Sequence, residues 1–165
     1  MNWVDIVVII LLVLGFLAGL REGAVRQFFS LLSIIICIPL AGLTYDWLAS
    51  LLSFLPGTNW ENFLGFYIVL TIIFGILFLI FFVPRKIIGG IWKQGILFRL
   101  GGGRLGVLAG IIGMVLFTLV VQAFPIFDWL ERWVTDSAVL SALVDGFGFV
   151  RSMLPEVFRQ AAARV

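Results

Sequence analysis

Residues 62–84 read NFLGFYIVLTIIFGILFLIFFVP, a run of 23 residues without a charged side chain. A helix of about 20 residues is long enough to cross the ~30 Å hydrocarbon core of a bilayer. In lipid the backbone must satisfy its own hydrogen bonds, so an apolar run of this length folds as a helix. We therefore predict that this segment spans a membrane.

Three further uncharged stretches have a similar length. One extends from Ile6 to Leu20 and is lengthened by Trp3 and Val4, and the others cover residues 27–45 and 105–127. Together the four runs predict transmembrane helices at residues 3–20, 27–45, 62–84 and 105–125. The predicted fold is an all-α membrane protein, with a four-helix transmembrane domain in residues 1–127 and an amphipathic tail in residues 128–165.

The composition agrees with a membrane protein and excludes a soluble enzyme. Of the 165 residues, 62% are hydrophobic and 12% are charged, whereas globular proteins have roughly 45–50% apolar and ~25% charged residues. A soluble fold this small could not bury so many apolar side chains. The chain also contains no histidine, the commonest general base and zinc ligand. We expect membrane lipids as partners and no catalytic residue, metal, cofactor or nucleic acid.

Basic residues are concentrated in two predicted loops. The first and third loops hold Arg21, Arg26, Arg85, Lys86, Lys93, Arg99 and Arg104. Because positive residues stay cytoplasmic, we predict that these loops anchor the inner face and that both termini lie outside. Arg99 and Arg104 could instead hold a lipid phosphate or a partner's carboxylate. No basic residue precedes the first run, which indicates a retained span rather than a cleaved signal peptide.

Glycines recur at four-residue spacing in the first and fourth predicted helices. The small-residue positions are Gly15, Gly19, Gly23, Gly102, Gly106, Gly110 and Gly113. Such stripes let helix backbones approach closely in lipid. They predict either packing within the four-helix unit, which we favour, or an interface between two copies.

Asp5 lies at the start of the first predicted span. An acidic residue there interacts well with the helix dipole, and the headgroup zone is hydrated, so we expect Asp5 to act as a cap. Ion or proton passage normally needs an acidic group near the midplane, and the predicted spans hold none there. This pattern disfavours an ion-coupled transporter.

Two segments outside the spans are predicted to form amphipathic helices at the membrane interface. Residues 85–100 mix apolar and basic side chains, which suits a surface of anionic lipid. In the tail, Asp136 or Ser137 can cap a helix whose apolar face holds Leu140, Leu143, Val144, Phe147 and Val150. We expect the tail to lie flat on the outer membrane surface or to pack across the helix ends.

Three short motifs resemble the colicin V production protein (CvpA) family. They are Trp3-Val4-Asp5, Gly23-Ala24-Val25-Arg26 with Ser30-Leu31, and Leu105-Gly106 with Gly110 and Gly113. Within these motifs, Asp5 and Arg26 are the polar residues that match the family's pattern. Gln27 stands where relatives often carry a glutamate, so we expect Arg26 to lack an acidic partner.

The resemblance implies a small multi-pass protein of the bacterial inner membrane. The family is named for a requirement in colicin V production and is also linked to envelope homeostasis, and no enzymatic activity is established for it. Our hypothesis is a non-enzymatic protein that assembles with itself or with another membrane protein to support toxin export and the envelope. The alternative is a small channel or transporter subunit, for which an oligomeric pore lined by serine and threonine remains open.

Overall fold

The computed structural model describes residues 3–51, 58–91, 95–124 and 128–153. These residues are helical and contain no β-strand. The helices are α1 (Trp3–Glu22), α2 (Ala24–Leu51), α3 (Thr58–Ile80), α4 (Phe82–Ile91), α5 (Ile96–Ala123), α6 (Asp128–Thr135), α7 (Ala138–Gly146) and α8 (Gly148–Met153). Four of them, α1, α2, α3 and α5, are long and apolar enough to cross a membrane. The predicted fold class and number of spans are confirmed.

The fourth span begins earlier than predicted. Helix α5 begins at Ile96 rather than at Leu105, and Gly101, Gly102 and Gly103 lie inside it. Glycine costs about 1 kcal/mol in a helix interior relative to alanine. Here that cost is offset because Gly102 and Gly103 are buried against α1, where a side chain would find no room.

The third span ends earlier than predicted. Helix α3 ends at Ile80, a turn follows at Phe81, and the short helix α4 contains Pro84 in its first turn. Proline has no N–H, so Pro84 cannot donate to the carbonyl of Ile80 as a continuous helix would require. The predicted third-loop helix therefore corresponds to α4, while residues 96–100 belong to α5.

The four spanning helices form a row in which α5 lies between α1 and α2, and α3 packs against the other side of α2. The core is built from α2, α3 and α5, and its largest fully buried side chains include Phe66, Ile38 and Ile112. Only 17% of the span is buried in α1 and in α3, compared with 39% in α2 and 44% in α5. The helices at the two ends of the row therefore present most of their apolar surface outward.

The described part of the tail, residues 128–153, packs across the ends of the spanning helices, which is the second of the two arrangements expected from its pattern. Leu140, Val144 and Val150 are buried, and Leu143 and Phe147 pack partly buried beside them. Ser137 caps α7 by accepting a hydrogen bond from the backbone N–H of Leu140 at 3.2 Å. The apolar face predicted from the sequence thus covers protein, chiefly α5, rather than lipid.

Candidate functional site

Asp5 is the most deeply buried charged group among the described residues. Its side chain is 0% exposed. The Ser137 hydroxyl donates to Asp5 Oδ1 at 2.6 Å, and the backbone N–H of Val139 donates to the same oxygen at 3.2 Å. Asp5 lies in the first turn of α1, as expected of a cap, but the expectation that it is hydrated is wrong, because α7 lies over its side chain and buries it.

The Asp5 carboxylate serves two helices. It lies in the first turn of α1, and it accepts hydrogen bonds from the beginning of α7. Both helix ends carry unpaired N–H groups and partial positive charge, which stabilise an anion. We name this contact the Asp5–Ser137 link, and it fixes the tail to the beginning of the chain.

Aromatic rings surround the same end of α1. The Trp3 and Trp133 rings meet edge to face with centroids 4.9 Å apart, and Trp129 packs on Trp133 at 4.6 Å. All three side chains remain exposed on one side. Indole rings favour the headgroup level of a bilayer, so this cluster is placed to hold α1 and α6 together at an interface.

The predicted glycine stripe lies between α1 and α5. A Cβ atom at Gly19 would overlap the backbone of Gly102, 2.8 Å from its carbonyl carbon. A Cβ atom at Gly106 would overlap the carbonyl oxygen of Gly15, and one at Gly15 would lie 3.2 Å from the carbonyl oxygen of Gly106. The stripe is used within one chain, where it allows backbone-to-backbone contact of α1 and α5.

The outer members of the predicted stripe behave differently. Gly110 faces only the flexible side chain of Leu12, at 3.6 Å from a built Cβ, and Gly113 is exposed with nothing within 4 Å. Gly23 forms the turn between α1 and α2 with a φ of +81°, a backbone conformation that other residues rarely adopt. The close contact therefore involves Gly15, Gly19, Gly102 and Gly106, together with the backbone of Gly23, whose carbonyl carbon would lie 2.7 Å from a Cβ atom at Gly102. Gly103 packs under the Phe16 ring.

A cavity of about 700 Å³ opens at the opposite end of α1 from Asp5. It lies between the α1–α2 turn, the end of α3 with α4, and the beginning of α5. Five basic residues line it, namely Arg21, Arg26, Arg85, Lys86 and Arg99, together with one acidic residue, Glu22. We name it the basic cavity. Arg104 is exposed and does not line it, and Lys93 lies outside the described residues.

Glu22 provides the acidic partner that the motif around Arg26 lacks. Its Oε2 atom lies 3.5 Å from Arg26 Nε and accepts a 3.0 Å hydrogen bond from Gln27 Nε2. The inference that Arg26 lacks an acidic partner is therefore wrong. Glu22 ends α1 and Arg26 lies in the first turn of α2, so the two charges meet across the Gly23 turn and not along one helix.

Arg85 is the unusual member of the basic cavity. Its guanidinium stacks on the Phe78 ring, with Cζ 4.7 Å from the ring centroid. The Nε and Nη2 atoms are buried, and neither has a hydrogen-bond partner among the residues that the structure describes. Burial lowers the pKa of Arg85, and repulsion from Arg26 adds to this effect while attraction to Glu22 opposes it. Sequence reasoning treated Arg85 only as a topological anchor.

Comparison with known proteins gives the same family as the motifs. The sequence model of the colicin V production protein family matches residues 4–150, a range that includes the Asp5–Ser137 link, the glycine contact and the basic cavity. The chain belongs to this family. It is also similar to an uncharacterized transmembrane protein, YshB, of Bacillus subtilis (strain 168), with 28% identity over 176 aligned positions covering 96% of this chain and 99% of that protein. No solved structure matches the chain.

In this CvpA-family protein the three sequence motifs contribute to three different contacts. The first motif supplies Asp5 to the link with the tail, and the second supplies Gly23 and Arg26 to the wall of the basic cavity. The third places Gly106 against α1. Within the described residues, no group of three or more histidine, cysteine or acidic side chains is placed to hold a metal ion.

Proposed function

We propose that this CvpA-family protein is a non-enzymatic component of the bacterial inner membrane that supports colicin V production or export and envelope homeostasis. It does so by assembling with further copies of itself in the membrane. The process follows from the family to which the chain belongs, and the assembly step is our inference from the arrangement of the helices.

The observation that carries the assembly step is the open row of spanning helices. Helix α3 stands at the end of the row and packs chiefly against α2. Its outward face exposes Ile72, Ile76 and Leu79, and Gly75 on this helix has nothing within 4 Å of a built Cβ. Small residues on a lipid-facing helix allow close approach of a second helix. On α1 and α5, the glycines of the close contact (Gly15, Gly19, Gly102 and Gly106) are already occupied inside the chain, whereas Gly113 is exposed as Gly75 is.

Cysteine crosslinking tests this assembly. The natural Cys37 is buried and would be replaced by alanine. In that background, Gly75→Cys is expected to give a disulfide-linked dimer in native membranes, because two copies would meet along α3. Leu14→Cys, on the exposed face of α1, is the matched control and is expected to remain largely monomeric. A monomeric mass in mild detergent together with equal crosslinking at both positions would contradict self-assembly through α3.

The role in toxin production is tested by complementation. The chain should restore colicin V secretion to a producing host that lacks its own family member. Gly75→Leu should reduce secretion while leaving the amount of inserted protein unchanged, because the change affects only an exposed face. Normal secretion by a variant that no longer assembles would show that the role in toxin production does not require self-assembly.

The orientation in the membrane is a further prediction. Because the basic residues surround one end of the helices, reporter fusions near Gly95 should be active in the cytoplasm. Fusions after Phe54 and after Val165 should be active outside. A cytoplasmic signal from the fusion after Val165 would mean that the count of four spans is wrong.

A further inference from the structure

The basic cavity contains cations that the protein itself does not neutralise. Among the described residues, five basic side chains line it, and the single acidic one, Glu22, is already engaged by Arg26 and Gln27. Buried polar atoms are normally hydrogen-bonded, and a buried cation without a partner is costly. The half-buried Arg85 has two nitrogens without a hydrogen-bond partner among the described residues, and together with the other basic side chains it favours an anion with several acceptor oxygens.

The chemistry of the lining specifies the anion more closely. The planar guanidinium groups of Arg85 and Arg26 match the geometry of phosphate oxygens, which bind arginine in a bidentate manner. Phe78, Phe82 and Phe98 line the same cavity. Three phenyl rings in the lining favour a ligand in which the phosphoryl group is attached to hydrocarbon over a small free anion.

The position of the cavity agrees with a lipid ligand. It lies where α1 ends, α2 begins and α3 gives way to α4, and these helix ends mark the boundary of the spanning segments. Headgroup phosphates are found at this depth. The volume of about 700 Å³ is within the usual range for a site that encloses a small ligand.

We propose that the basic cavity is a binding site for a phosphoryl group, supplied by the headgroup of an anionic phospholipid. The phosphate lies against the Arg85 guanidinium, and Arg26 and Arg21 lie beside it. The acyl chains leave the cavity along the exposed Phe82 and the apolar surface of α3. This inference does not depend on self-assembly or on toxin export.

Titration of the purified full-length chain tests the site. Native mass spectrometry would count the bound molecules of a soluble short-chain phosphatidylglycerol, which we expect to saturate at one per chain. Arg85→Gln is expected to weaken binding about tenfold, the effect of removing a charge-assisted hydrogen bond. Arg104→Gln is the matched control, because it removes the same charge from the same end of the protein outside the cavity. It should change binding less than about twofold.

A second lining variant and a second ligand distinguish a specific lipid site from diffuse attraction between charges. Arg21→Gln changes an exposed lining residue and cannot disturb the core, so a loss of about threefold is expected even if Arg85→Gln folds poorly. Equal losses from Arg85→Gln and Arg104→Gln would show diffuse attraction and overturn the site. Unchanged binding by Arg85→Gln and Arg21→Gln would also overturn it. Inorganic phosphate that binds as tightly as phosphatidylglycerol would overturn the lipid as the source of the phosphoryl group.

Discussion

Leucine in place of Gly106 is expected to separate α1 from α5 and to destabilise the folded membrane domain strongly. The first side-chain atom would overlap the backbone carbonyl of Gly15, which cannot rotate away as a flexible side chain could. Overpacking of this kind costs about 3 kcal/mol. Membrane insertion should be unaffected, because leucine favours the bilayer interior. Thermal unfolding in detergent and crosslinking between α1 and α5 would measure the loss.

Gly113→Leu is the control for this experiment. It places the same side chain on the same helix, at a glycine with open space around it, and is expected to leave stability within about 0.5 kcal/mol of the original. Gly110→Leu should be intermediate, since the neighbouring Leu12 side chain can move. If Gly106→Leu and Gly113→Leu unfold alike, the contact between α1 and α5 is not the close backbone packing described above.

Asp5→Ala is expected to release the tail from the spanning helices. The change leaves the Ser137 hydroxyl and the Val139 N–H buried without their acceptor, which costs about 2 kcal/mol for hydrogen bonds to a charged group. Limited proteolysis should then cut within α7 and α8 at protease concentrations that leave the original chain intact. Asp5→Asn, which keeps one acceptor oxygen and loses the charge, should have a smaller effect.

Two comparisons make the Asp5 experiment specific. Asp136→Ala removes an exposed carboxylate one residue from Ser137 and should not increase cleavage. Ser137→Ala should destabilise the tail by itself but add little to Asp5→Ala, because both changes break the same contact. Strictly additive effects of the two substitutions would mean that the Asp5–Ser137 link does not join the tail to α1.

The number of spans and the helical class could be predicted because they depend on local properties. Each span is an uncharged run long enough for a bilayer, whatever packs against it. The ends of the third and fourth spans could not be placed in this way. Gly102 and Gly103 favour a break in an isolated helix, and only the backbone of α1 against them makes a continuous α5 the better arrangement.

The candidate sites show the same division between local and distant information. The pairing of Glu22 with Arg26 is local, since only the Gly23 turn separates the two helices that carry them. Asp5 and Ser137 are 132 positions apart, and no pattern along the chain links them. That two Arg85 nitrogens lack a hydrogen-bond partner among the described residues could not be predicted, because it depends on how the α1–α2 turn and α5 pack around α4.

The order of the helices in the row has a consequence for biosynthesis. Helix α5 lies in the centre of the row, yet it is the last of the four spans to leave the ribosome. Roughly 100 residues separate the end of α1 from the end of α5, which corresponds to about 5–20 s of translation. During that time α1 is in the bilayer without its main neighbour, and Asp5 is without Ser137. The nascent α1 and α2 must therefore remain far enough apart for a later helix to insert between them.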